Sequence, residues 1–161
     1  MAFFANQLMD TIEFVNPSNK VLVYKYVRPS GNNEIRQGAK VIVRESQEAV
    51  FISKGKLADT FGPGTFKLNT GNLPFLSTLG AIGHAFNSPI KADIYFVSTQ
   101  QFIDNKWLTK NPVICRDPEF DMVRVKGFGT FAFRVIDSVA FMEEIFGTKG
   151  LVFTDDIIQY L

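Results

Sequence analysis

The sequence is poor in the side chains that carry chemistry. It holds one cysteine, Cys115, and one histidine, His84. A single cysteine excludes an internal disulfide and any cysteine-based metal cluster, and a single histidine excludes a His–His metal pair within the chain. An excess of charge is missing too, since 17 Lys and Arg stand against 16 Asp and Glu for a net of +1. That balance argues against nucleic acid as a partner, because dedicated binders show a basic face or a high pI. No apolar run approaches the ~20 residues of a membrane-spanning helix. The first cation is Lys20, so the opening lacks the basic start of a secretory signal. As written, the chain is expected to stay in the cytoplasm.

What the sequence does have is apolar bulk. Its 161 residues are 46% hydrophobic, enough for one domain around one sizeable core. Phenylalanine is over-used, with 17 Phe against 4 Tyr and 1 Trp. Phe buries a large area without needing a hydrogen-bond partner, so it reads as core, or else as a lipid- or protein-facing patch. Phe4, Leu8, Ile12 and Val15 recur at helical spacing with Phe3 alongside, and residues 1–19 read as an N-terminal amphipathic segment. Asp10 and Glu13 have the wrong sign for a helix lying on a membrane. Docking on the body of the domain is therefore the first reading. Phe3, Phe4, Leu8 and Ile12 are the candidate membrane or partner contacts on the second.

Most of the chain reads as short strands. Lys20 to Val27, Ala39 to Arg44, Glu48 to Ile52, Leu57 to Phe61 and Thr65 to Leu68 are β-branched or aromatic and are separated by turn residues. Ser53-Lys54-Gly55-Lys56 predicts a tight reversal, and Gly62-Pro63-Gly64 the turn of a second hairpin with Gly64 at positive φ. Leu73 to Phe86 contains Pro74, Gly80 and Gly83, which leaves room for one or two helical turns. Ile90 to Val97 is a further strand, and Lys106 to Cys115 holds another, broken near Pro112. Asp121 to Ile136 predicts one long strand with Val123, Val125, Phe131, Phe133 and Val135 on a buried side. Arg124, Lys126 and Arg134 take its wet side. Gly127 and Gly129 sit on the apolar side, where a bend or close packing is expected. Beyond Asp137 the period becomes helical, with Asp137 or Ser138 as N-cap. Thr154-Asp155-Asp156 opens a last helix, acids in its first turn.

No constellation for catalysis, cofactor or metal emerges. His84 has small or apolar neighbours and no local group to orient it, so it reads as structural or surface. Cys115 ends an apolar run and reads as a buried small hydrophobe. The Gly-Pro-Gly and Gly-Phe-Gly stretches lack the third glycine and the helix of a dinucleotide loop, and no phosphate-loop Gly-Lys-Ser/Thr occurs. Glu143-Glu144 and Asp155-Asp156 are neighbours on helices and diverge by about 100°. Residues 137–161 carry five acids and one base, whereas 60–136 carry eight bases and five acids. Ordinary surface charge accounts for this, and a head-to-tail contact is the sharper alternative.

The segment Val41 to Leu68 resembles the opening of the SPFH or Band 7 domain of stomatins, prohibitins and flotillins. The matching residues are Val43, Glu45, Ala49, Val50, Gly55 and Gly62-Pro63-Gly64. Further matches resemble a bacterial subgroup labelled virion-core-like or YdjI-like. They include Glu34-Ile35, Gly38-Ala39-Lys40, Phe86-Asn87-Ser88-Pro89, Ala92 to Val97, Lys106-Trp107, Arg116 to Phe120, Met122-Val123-Arg124 and Gly129-Thr130-Phe131. The resemblance runs from about residue 10 to the end. It implies an α+β fold, a twisted antiparallel sheet flanked by short helices, with the domain over residues 20–153 and a cut-off helix over 154–161.

It further implies a non-enzymatic scaffold without cofactors, peripheral to the inner face of the plasma membrane. Its partners would be other SPFH subunits and phage-shock-type membrane-stress proteins. In that subgroup a long helical region and a C-terminal zinc ribbon follow, and the helices carry much of the assembly. Ile157, Ile158 and Leu161 are the candidate assembly stripe, and this length of chain is expected to be a monomer or a weak small oligomer. The rival reading is a small-molecule binding module or hydrolase with a site near His84.

Overall fold

A computed structural model describes residues 10–16, 18–29, 31, 34–69, 72–78, 89–146 and 150–158. The central layer is a five-stranded antiparallel sheet. In spatial order it holds β14 (Leu151–Phe153), β2 (Val21–Lys25), β9 (Asp93–Ser98), β5 (Gln47–Ser53) and β6 (Lys56–Phe61). Side chains of a strand alternate between faces, and here both faces are covered. Ala49, Phe51, Ile94 and Phe96 feed one core, while Val50, Tyr95 and Val97 feed the other.

A three-stranded sheet closes the first core, with β4 (Lys40–Val43) between β1 (Thr11–Glu13) and β7 (Gly64–Lys67). Val41, Val43 and Ile12 point from it into that core. The short pair β3 (Glu34–Ile35) and β8 (Ile90–Lys91) adds Ile35 and Ile90, and the short helix α1 (Pro74–Thr78) lies beside β6. The second core is closed by β10 (Phe102–Leu108) and β13 (Phe128–Phe133), and by α2 (Ser138–Phe141) with the π-helical turn that follows it. The last helix, α3 (Thr154–Ile158), completes that side. Strands β11 (Val113–Asp117) and β12 (Asp121–Val125) pair with each other. The fold is mostly antiparallel and sheet-dominated, with few short helices.

Local chemistry explains the reversals and caps. Lys54 (φ 52°) and Gly55 (φ 72°) both take positive φ between the paired Ser53 and Lys56, the two-residue turn whose twist suits a hairpin. Asp137 caps α2, accepting from the Ala140 N–H at 2.9 Å. The Ser138 hydroxyl donates to Glu48, tying α2 to β5. In α3 the Asp156 carboxylate reaches back to accept from the Phe153 N–H at 2.9 Å.

Four sequence expectations are corrected. The helical stripe through Ile12 is not a helix at residues 11–13. There β1 pairs in parallel with β4, Ile12 opposite Val41, and Ile12 is 2% exposed. A buried core residue is not a membrane or partner contact. The ladder to β4 satisfies backbone groups and buries the β-branched Ile12, which outweighs an apolar spacing shared with helices. Phe3, Phe4 and Leu8 lie outside the described residues, as does His84. Gly62-Pro63-Gly64 is a corner rather than a hairpin turn, since β6 pairs with β5 and β7 pairs with β4. The strand expected over 121–136 is two strands, and its apolar side is not buried throughout, with Val125 exposed. Cys115, expected in the core, is exposed. Both last errors have one cause, because among the described residues no layer packs over the β11–β12 hairpin.

Gly64 does take a positive φ, 146°, and a Cβ there would sit 3.1 Å from the Phe66 ring. Gly64→Val adds backbone strain to that clash, and should lower the stability read from urea unfolding by about 1–3 kcal/mol.

A second expectation concerns alkaline pH. Lys25 Nζ lies 2.9 Å from Asp93 and 5.6 Å from the centre of the Tyr95 ring. Burial works against the Lys25 ammonium, but Asp93 and Tyr95 outweigh it and its pKa lies above the ordinary lysine value. Burial raises the Tyr26 phenol more than neighbouring Arg28 lowers it. Both groups hold their protons more tightly folded than unfolded. Their contribution is therefore complete below about pH 10 and is lost as pH rises beyond it. Urea midpoints should hold from neutrality to that point and then fall, and Lys25→Met with Tyr26→Phe should flatten the fall.

Candidate functional site

The element that departs from the packed body is the pair of ladders β10–β13 and β11–β12. At its root, Phe102 pairs with Phe133 across the ladder, their rings 5.4 Å apart, and both belong to the second core. A bulge follows, with Asp104 at φ 59°. Asn105, 8% exposed, settles the bulge by donating to the carbonyls of Phe102 (3.1 Å) and Phe131 (3.3 Å).

Trp107, Gly129 and Gly127 join this root to the outer hairpin. Trp107 is opposite Gly129, and a Cβ on Gly129 would meet its indole nitrogen at 2.8 Å. A Cβ on Gly127 would meet the far edge of the same ring at 3.4 Å. The expectation at these glycines is met by close packing, and the indole takes the place of two missing side chains. Thr109 then clasps Gly127 twice, its N–H donating to the Gly127 carbonyl (2.9 Å) and its hydroxyl accepting from the Gly127 N–H (3.1 Å). The two ladders thus run on as one ribbon. At the far end Asp117 accepts from the N–H groups of Glu119 (2.9 Å) and Phe120 (3.0 Å), and Asp121 at φ 63° closes the turn.

Strand alternation gives the ribbon two faces. Trp107 and Phe131 border a groove of about 650 Å³ on the inner side, closed from across by Ile158 of α3. The opposite, outer face carries Leu108 directly across from Phe128, 73% and 87% exposed. Farther out, the register sets Ile114 opposite Arg124 and Arg116 opposite Met122, all four exposed. Large apolar side chains left in water in such number mark an interaction surface. Sequence reading missed it. Met122 and Phe128 lie at even positions with Arg124 and Lys126, the side taken as wet, and an alternation of cation and large apolar residue was the available signal.

Of the candidate assembly stripe, Ile157 packs on the second core, Ile158 borders the groove, and Leu161 lies outside the described residues. Val15 is exposed. Among the described residues, no three of His, Cys, Asp and Glu lie close enough to hold a metal ion. A crevice of about 20 Å³ beside Asp10, Tyr26, Arg28 and Glu34 has room for about one water. Arg28 pairs with Asp10 there.

A family model described as SPFH domain-Band 7 family matches residues 23–161. The chain belongs to that family. SPFH domains are commonly membrane-associated scaffolds, generally oligomerise and are generally non-enzymatic. The chain is 33% identical over 161 residues to a protein of Bacillus subtilis (strain 168) described as uncharacterized protein YdjI. The alignment covers 98% of this chain and 48% of that protein, so this SPFH chain spans about half the length of its curated relative. No solved structure matches it. Among the described residues, no helix is long and apolar enough to cross a membrane.

Trp107 is the sole tryptophan and reports directly on the joint. Gly129→Ala should push the indole outward, shifting its emission to longer wavelength and costing about 1 kcal/mol or more. Gly127→Ala, whose added carbon meets ordinary contact, should leave the spectrum near that of the parent.

Proposed function

We propose that this SPFH domain is a non-enzymatic scaffold of a bacterial membrane-stress complex of the phage-shock type. It works peripherally at the inner face of the plasma membrane and holds other SPFH subunits and membrane-stress proteins there. The observation that carries the reading is the ribbon. It is anchored in the core at one end, and along its length it presents apolar side chains where an enzyme would present converging polar groups. Family membership supports the scaffold role in general. The stress-system assignment draws on the resemblance to the bacterial subgroup. The stripe of Ile157, Ile158 and Leu161 is proposed as an assembly contact of the full-length protein, and Phe3, Phe4 and Leu8 as a second membrane or partner contact. The rival site near His84 lies outside the described residues.

The test is replacement of the native gene by variants of the full-length parent, scored by survival of membrane stress at equal protein levels. His84→Ala and Cys115→Ser should survive as the parent does, and Leu108→Asp should not. Loss of survival in His84→Ala, with an unchanged melting temperature, would move the assignment to a small-molecule site.

A further inference from the structure

We propose that the outer face of the ribbon lies flat on a bilayer surface rich in anionic lipid. The inference rests on the scaffold reading and names the partner of its contact surface. Lys106, Arg124, Lys126 and Arg134 are all exposed, and none makes an ion pair with another described residue. The side of each follows from the ladder. Lys106 is opposite Thr130, next to the Leu108–Phe128 pair. Gly127 and Gly129 both face Trp107 on the inner side, so Lys126 and Phe128 between and beside them face outward. Alternation carries Arg124 and Arg134 to the same side.

No paired outward position of either ladder holds a carboxylate, and the exposed Asp104 sits in the unpaired bulge two residues before Lys106. Asp117 and Asp121 are opposite each other on the inner side, and Arg116 leans toward Asp121 at 3.5 Å. Unpaired cations among exposed Leu108, Phe128 and Met122 are what an anionic interface selects. The apolar groups enter the acyl boundary while Lys and Arg stems reach the headgroups. A protein partner of ordinary surface chemistry would not call for this density of unpaired cations.

The charge pattern also sets the orientation. The tip holds Asp117, Glu119 and Asp121 around the exposed Phe120. Three carboxylates are repelled by an anionic surface, so the ribbon does not plunge in tip-first. Phe120 therefore stays out of the bilayer although it is as exposed as Leu108, each at 73%.

Co-sedimentation of the purified 161-residue chain with vesicles tests this. One set is phosphatidylcholine alone, and the other equimolar phosphatidylcholine and phosphatidylglycerol. Binding is expected to the anionic set only and should weaken as salt shortens the Debye length. Arg124→Gln and Lys126→Gln should each weaken it about fivefold, a cation near such a surface being worth ~1 kcal/mol. Phe128→Ser should weaken it as well, while Phe120→Ser should bind as the parent does. Circular dichroism melts confirm that each variant is folded.

Equal binding to both vesicle sets, no binding to either, or an equal loss in Phe120→Ser would overturn the proposal. So would a dimer, seen by light scattering, that Phe128→Ser dissolves without any vesicle binding, which would assign the face to a second copy. Fractionation of cells separates the two readings. A parent protein that stays with the membrane yet binds no vesicle defeats the lipid proposal and leaves the scaffold standing on protein recruitment.

Discussion

The β5–β9 ladder runs from Gln47 opposite Ser98 to Ile52 opposite Asp93, and the rest of the chain is arranged by what it demands. Residues 49–52 and 94–97 are apolar without interruption, so the sheet has no face that can be left to water. A sheet buried on both sides needs two covering layers. The three-stranded sheet of β1, β4 and β7 supplies one. The other is assembled from the root of the ribbon, α2 and α3, which bring Phe102, Val135, Met142 and Ile157 to Val50, Tyr95 and Val97. The ribbon therefore begins as a structural necessity, since its first residues are core.

That necessity ends after a few residues. Beyond Phe131 and Trp107 the ribbon has left the body, and among the described residues β11 and β12 pair only with each other. A two-stranded hairpin by itself is marginal in water, because cross-strand pairs contribute little and neither face is buried. Local devices hold it instead: the Asp117 turn, the Thr109–Gly127 clasp and the indole over the two glycines. Each fixes backbone at the cost of little apolar burial. Each also leaves the outward side chains uncovered, which is the condition a contact surface requires.

How much of this was legible follows from what alternation encodes. β-Branched and aromatic runs bounded by turn residues located β2, β4, β5, β6 and β9, and Lys54-Gly55 located the hairpin between β5 and β6, because both signals are local. What covers a face is not local. Val123 and Val125 alternate as faithfully as Val50 and Ile52 do. One set leads away from the body and the other into it, and the difference lies in the partners each strand finds. Ile12 failed differently. Its spacing from Leu8 and Val15 suits a helix, but a three-residue parallel pairing with β4 decided the matter. The Gly62-Pro63-Gly64 corner shows the same limit, as positive φ at Gly64 was readable while the change of sheet was not.

The outer face was hidden by a habit of reading as much as by missing partners. Cations were taken to define a wet side, and Met122 and Phe128 beside them were assigned to neither face. Lys and Arg have long apolar stems, however, and a face that mixes them with large hydrophobes is not simply solvated. A purely apolar face would risk pairing with any exposed edge, and the free edges of a two-stranded ribbon are such a template. Regularly placed cations repel a second ribbon of the same kind and still favour an anionic plane. The acidic tip then adds direction, since one end of the ribbon is repelled by the charge that attracts its length. A β-ribbon rooted in a double-sided core thereby acquires an orientation toward a charged surface through its length and its tip alone.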